Sequence, residues 1–374
     1  KEMPFRTSLP DDVERTLKKE GDRTTVEYHT PVGSVRTVLL YTEEMKRAGI
    51  SITWIDEHLI KKPEDYKVVG YIFRNLKVEP YFDDYIEWQK FIGDDGLAVA
   101  FFGLGASPMH HIMKEFLDPT SFYYHMRDYE KEMLSLAEDM EPYFEKALDA
   151  LCKSPAEAVL WGANYDDMIT YPPFFRDHIT PWLQKASRRL GEAGKVLISH
   201  CDGENLGLLD LIRDSGIHVA EAICPYPMTK VKIDEYYRRW HEKLTIFGGI
   251  PSNILLADLA TDEDLENYLK ELLAAVHPGT RYIAGIADTT PPDAVFDRLR
   301  RIGEFFEENG KLPLKKIMVT AEAAAPAEEA AGPVTAELEP SPLEELRQAV
   351  IKGDHEKAVE WTREFLNRSA DPMD

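Results

Sequence analysis

The amino-acid sequence predicts an α/β protein organised as a (β/α)8 TIM barrel, with an N-terminal hairpin extension and a short C-terminal helical tail. Three observations carry this expectation. Short apolar runs recur along residues 1–318 with amphipathic stretches between most of them, several runs end in polar or glycine-rich sequence, and none leads into G-x-G-x-x-G or G-x-x-x-x-G-K-[ST]. Alternating strand and helix calls for a parallel sheet. A barrel builds its active site at the carboxyl ends of its strands, and roughly 300 residues suits one with an extension. Without a dinucleotide or P-loop fingerprint, the usual signals for an open doubly wound sheet are missing.

Taken in order, TTVEYHTPVGSVRTVLLYT (24–42) reads as two β-rich arms around Pro31, Val32 and Gly33, a hairpin appended to the barrel. LAVAFFGL (97–104), AEAVLWGAN (156–164), KVLISHCDG (195–203), HVAEAICP (218–225), KLTIFGGI (243–250) and RYIAGIAD (281–288) each have buried-strand character. ENLGLLDLIRDSG reads as a connecting helix, with Leu206, Leu209 and Ile212 at helical spacing and Gly216 as its stop. The barrel should end near Met318, where VTAEAAAPAEEAAGPVTAELEP (319–340) has the Ala/Glu/Pro composition of a solvated linker. In residues 341–374, Ser341, Pro342 and Glu344 form a helix start that closes at Gly353. A second helix follows, with Ala358, Trp361, Phe365 and Leu366 on one face. Two such short helices need a surface to dock on.

Of the 374 residues 44% are hydrophobic, enough for one large core or two modest ones. Lys and Arg total 44 against 67 Asp and Glu, a net charge of -23 that repels nucleic-acid phosphates and anionic lipid. No nucleic acid or membrane partner is therefore expected. The start, KEMPFRTSLPDDVERTLKKE, has no apolar signal core, so the cytoplasm is the expected compartment. The cysteines Cys152, Cys201 and Cys224 show no C-x-x-C spacing and read as reduced thiols.

The strand ends hold the candidate chemistry. His200 and Asp202, two apart on one strand, share a face, while Cys201 points the other way to pack. At that spacing both reach one ion, and His plus carboxylate suits Zn²⁺ or another divalent metal. Alternatively, His200 bonds its neighbours and Asp202 caps the following helix. Glu221, in the next apolar run, is a third candidate metal ligand or one half of a structural ion pair. Asp288 is a weaker fourth, since aspartates commonly open turns. Asn164, Asp166 and Asp167 stand at another strand end, either contacting a polar substrate or capping a helix. In GASPMHHIMKEF, the adjacent His110 and His111 diverge on a helix. Met109, Met113, Tyr123 and Tyr124 line or pack a pocket wall, and Met109 and His110 join the candidate substrate-binding set.

Through YHTPVGSVRTV, SPMHHIMKEFL, WGANYDDMITYPPFF, GKVLISHCDGENLGLLDLIRDSGI and AGIADTTPPDAV, spread over about residues 25–312, the chain resembles the uroporphyrinogen decarboxylase superfamily, in its corrinoid-dependent methyltransferase branch. Members of that branch are (β/α)8 barrels. Thiol-methylating members carry H-x-C-G on the strand and hold zinc with that His, that Cys and a later Cys, with a Glu on the following strand nearby. Here His200 matches the histidine, Asp202 stands at the cysteine, Glu221 suits the glutamate, and Ala284–Asp288 covers the late position without a cysteine. The resemblance thus implies a metal site of His200, Asp202 and Glu221, harder than a dithiolate one and matched to an ether oxygen.

The activity it implies is transfer of a methyl group from a small O-methyl donor to the Co(I) of a corrinoid protein. Asn164 and Asp166 would orient the donor or protonate the leaving group beside His200 and Asp202. The implied partners are a corrinoid (cobalamin) protein and the small methylated substrate, and the sequence allows a homodimer. The tail resembles the opening helices of a corrinoid-protein cap, without D-x-H-x-x-G. It is either part of a fused corrinoid module or a docking element. The alternative activity is a metal-independent decarboxylase or lyase of the same superfamily, with His200 and Asp202 as acid and base.

Overall fold

The computed structural model describes residues 3–50, 52–103 and 105–315. The linker and the two C-terminal helices expected from sequence lie outside the described residues. The N-terminal region holds β1 (Phe5–Ser8), β2 (Glu14–Glu20), β3 (Arg23–Thr30), β4 (Gly33–Leu40), β5 (Trp54–Glu57) and β6 (Lys77–Pro80). The expected hairpin is β3 and β4, paired antiparallel from Arg23–Leu40 to Thr30–Gly33. Its turn is fixed by Thr30, whose hydroxyl donates to Gly33 O at 2.8 Å and accepts from Val32 N at 3.2 Å. The sequence expectation was too small here, for the sheet has four strands in the order β2-β3-β4-β5. β2, ERTLKKE, is exposed at every position. With no buried face it shows no apolar alternation to mark it. β1 and β6 form a separate antiparallel pair.

Each of the six apolar runs becomes a strand: β7 (Val99–Gly103), β8 (Ala158–Ala163), β9 (Val196–His200), β10 (Val219–Ile223), β11 (Thr245–Ile250) and β12 (Tyr282–Ile286). They make one parallel sheet in chain order from β7 to β12. A doubly wound sheet reverses its strand order at a switch point, whereas here successive strands are always neighbours. That order is the one a (β/α)8 barrel uses, and β7 and β12 are the free ends of the ladder among the described residues.

Between these strands run the helices Glu130–Lys153, Thr180–Glu192, Leu209–Asp214, Ile233–Trp240 and Asp262–Ala275, and Phe296–Asn309 follows β12. Asp262–Ala275 shows why such segments coil. Thr261 and Asp264 cap each other's backbone N–H groups, and Leu265, Leu269, Leu272 and Leu273 bury one stripe. Every residue of β8 is buried, as a parallel strand covered on both faces requires. Trp161 of β8 stacks on Phe102 of β7 with ring centroids 4.0 Å apart, and its indole N–H donates to Ala106 O at 3.1 Å. Among the described residues no helix is long and apolar enough to cross a membrane.

Candidate metal centre

The pairing of β9 with β10 places Glu221 directly beside His200 in the ladder. Side chains at paired positions of parallel strands point the same way, so the two meet: His200 Nδ1 and Glu221 Oε2 are 2.6 Å apart. The other ring nitrogen, Nε2, faces Asp288 Oδ1 at 3.4 Å. Asp202, two residues past His200, closes the group, since one ligand atom each from His200, Asp202 and Asp288 lies within 4.8 Å of the others. The structure therefore brings together His200, Asp202 and Asp288 around one point, with Glu221 on the far side of the imidazole.

An ionised carboxylate only accepts, so Nδ1–H donates to Glu221 and a neutral His200 presents the Nε2 lone pair to Asp288. Two lone pairs facing each other at 3.4 Å need a proton or a cation between them. One imidazole nitrogen and two carboxylates are a donor set for Zn²⁺ or a similar divalent ion. Burial, reinforced by the nearby Asp288, raises the Asp202 carboxyl above its ordinary range. Both effects penalise an uncompensated negative charge, which a cation relieves.

The backbone is unusual where the strands end. Asn164 after β8, Ala222 on β10 and Asp288 after β12 have φ of 59°, 60° and 55°. Residues other than glycine occupy this region at a cost of order 1 kcal/mol, and such strain clusters at functional sites. Gly203, behind Asp202, has φ of 116°, and a Cβ there would lie 3.1 Å from Tyr165 O. Only glycine lets the chain turn away so close behind Asp202.

Asp202 does not cap the next helix. That helix begins at Leu209, after a 3-10 turn at Leu206–Leu208 whose cap position is Asn205. The expectation of one continuous helix from Leu206 is corrected accordingly. Glu204 captures the N–H of Leu206 at 3.0 Å and Asp167 that of Gly207 at 2.8 Å, and Leu206 is left exposed. Asp167 is thus engaged by the 204–207 loop. Asp166 behaves alike, accepting from Met168 N at 2.9 Å and Glu204 N at 3.3 Å. The structure brings neither acid to the His200 group. Asn164 does reach it, donating from Nδ2 to Asp202 Oδ2 at 3.4 Å.

Met109 and His110 are buried, at 3% and 1% exposure. His110 accepts the Ala106 N–H at Nδ1, 3.1 Å away, and its Nε2 has no partner among the described residues. Burial holds its pKa well below the ordinary value, so the ring is neutral. Met113 is buried too, while Tyr123 and Tyr124 are exposed. Cys201 is fully buried within the hydrophobic core, its thiol donating to Ser199 O at 3.4 Å.

Sequence reasoning missed Lys114. Its ammonium donates to Asn164 Oδ1 at 3.1 Å and to Ala163 O at 3.4 Å, and burial lowers its pKa, opposed by Glu115 and Asp202. The available signal was a lone lysine inside the run HIMKEFL.

No family model and no curated protein matches this sequence. Among solved structures, a methyltransferase from Methanosarcina mazei is similar to it at 15% identity and a TM-score of 0.43, over 68% of this chain and 72% of that one.

Proposed function

We propose that this protein is a metal-dependent methyltransferase, one that takes a methyl group from a small O-methyl donor and delivers it to the Co(I) of a corrinoid protein. The observation that carries the metal half of this reading is the convergence of His200, Asp202 and Asp288 within 4.8 Å at the carboxyl ends of β9 and β12. The methyl-transfer half rests on the resemblance through HCDG and its flanking segments. The six parallel strands in chain order fit a closed barrel whose mouth would hold this group.

In this reading His200, Asp202 and Asp288 hold the ion, and Glu221 fixes the imidazole so that Nε2 points at it. A bound divalent metal would act as a Lewis acid toward the heteroatom that loses the methyl group. Asn164 orients Asp202. The reduced corrinoid is itself a strong nucleophile, so the protein's task is to align donor and acceptor and to meet the charge left on the departing atom.

A metal-independent lyase or decarboxylase has one observation in its favour: a proton on Nε2 also satisfies the His200–Asp288 contact. Metal analysis of the purified protein separates the two, because the lyase reading requires none. The direct test is an anaerobic visible-spectrum assay with a Co(I) corrinoid or corrinoid protein and a panel of methoxylated, methylamine and methylthiol compounds. Loss of the Co(I) band with one class of donor supports the proposal and names the substrate. No change with any donor, in protein shown to hold its metal, refutes it.

A further inference from the structure

We infer that Lys114 is the proton donor to the leaving oxygen, and that the substrate is therefore a methyl ether whose departing group is a phenol or an alcohol. This rests on the methyl-transfer reading above. An ammonium has three N–H donors and no acceptor. Two of those donors are taken, by Asn164 Oδ1 at 3.1 Å and Ala163 O at 3.4 Å, which fix the head group and leave the third free. No carboxylate lies within salt-bridge distance of Lys114 among the described residues, although acids surround the site. Through Asn164, a single side chain links Lys114 to Asp202. One amide serves both, its oxygen toward the lysine and its nitrogen toward the aspartate.

The cation tells donor classes apart. A quaternary ammonium or sulfonium donor arrives positively charged, is repelled by Lys114, and leaves as a neutral amine or sulfide that takes no proton. An ether arrives neutral. As its O–CH3 bond breaks, the bonding electrons stay on oxygen, and the methyl carbon bonds to the electron pair of the corrinoid nucleophile. The oxygen takes one proton from Nζ, leaving a neutral amine that water reprotonates. Partial desolvation favours that neutral amine, easing the transfer.

The test compares wild type, Lys114→Met and Lys114→Arg across aryl and alkyl methyl ethers whose leaving groups rise in pKa. The expected loss in Lys114→Met is small for nitrophenyl methyl ether and grows to on the order of 10²–10⁴-fold for the most basic leaving groups. Lys114→Arg keeps the charge but holds its proton, so it should not restore the poor leaving groups. An equal loss across the series, or full rescue by arginine, overturns the inference. Binding supplies a second readout that needs no turnover. Wild type should shift bound 4-nitrophenol toward its phenolate spectrum below the free phenol's pKa, and Lys114→Met should not. If no ether reacts with any corrinoid, the proposed function has failed. The 4-nitrophenol spectra then decide on Lys114 alone, and identical spectra for wild type and Lys114→Met overturn its role.

Discussion

Glu221 Oε2 stands 2.6 Å from His200 Nδ1, and that contact leaves a single nitrogen of the imidazole, Nε2, for Asp288 and Asp202. Glu221 thereby sets which way His200 works. Replacing Glu221 by Gln keeps the shape but removes the charge that favours the Nδ1–H tautomer. Zinc affinity, measured by competition with a chromophoric chelator, should fall about 10–100-fold while the fold is retained. Unchanged affinity would place Glu221 outside the working of the site.

His200→Ala removes the one nitrogen donor of the proposed His200, Asp202 and Asp288 set. The variant should lose metal binding and all detectable methyl transfer while keeping the wild-type circular dichroism, because His200 is half-buried at a strand end and not in the core. Full activity in this variant would exclude His200 from the chemistry.

Arg298 offers a test of the scaffold. It is 4% exposed, donates to the carbonyls of Ile254, Leu256 and Ala260, and pairs with Asp262, so it ties the segment after β11 to the helix Phe296–Asn309. Arg298→Met would strand those carbonyls in the interior. The expected destabilisation is about 2–4 kcal/mol by urea unfolding, far more than a surface arginine costs.

Acid stability should depend on Asp214. The Arg213 guanidinium bonded to it, and then the Lys243 ammonium, hold its carboxyl at about 2, against 3.8 unperturbed. A carboxyl lowered on folding stabilises the protein fully above its unfolded pKa, and that stabilisation is lost as pH falls through the folded value. Asp214→Asn should therefore cost stability at neutral pH, about 1 kcal/mol or less because the pair is solvent-screened. The gap from wild type should close between about pH 4 and pH 2. A gap independent of pH would refute the ion pair as its source.

The parallel strands were readable because a strand buried on both faces is a short apolar run, and β8 and β10 are such runs. β2 was not, because a strand with both faces in water carries no pattern. The HCDG block pointed to His200 and Asp202, but their surroundings depend on register. Glu221 meets His200 because β10 aligns the two, and no spacing in the sequence encodes which ring nitrogen it takes. Asp288 looked like a turn residue and is one, with φ of 55°, yet that same bend carries its carboxylate to Nε2. Asp166 and Asp167 are drawn to the N–H groups of the 204–207 loop, which are brought near them only by folding.

The polar outer strand β2 bears on how copies of the protein meet. Among the described residues its outer edge is unpaired, and such N–H and C=O groups are the usual invitation to strand-by-strand aggregation. In ERTLKKE the charges run in a near palindrome about Leu17. If two copies paired antiparallel about that leucine, Glu14 would face Glu20 and Arg15 would face Lys19, at both ends of the ladder. Like charges directly opposite destabilise a pair, so this edge repels the one partner always present at equal concentration, another molecule of itself.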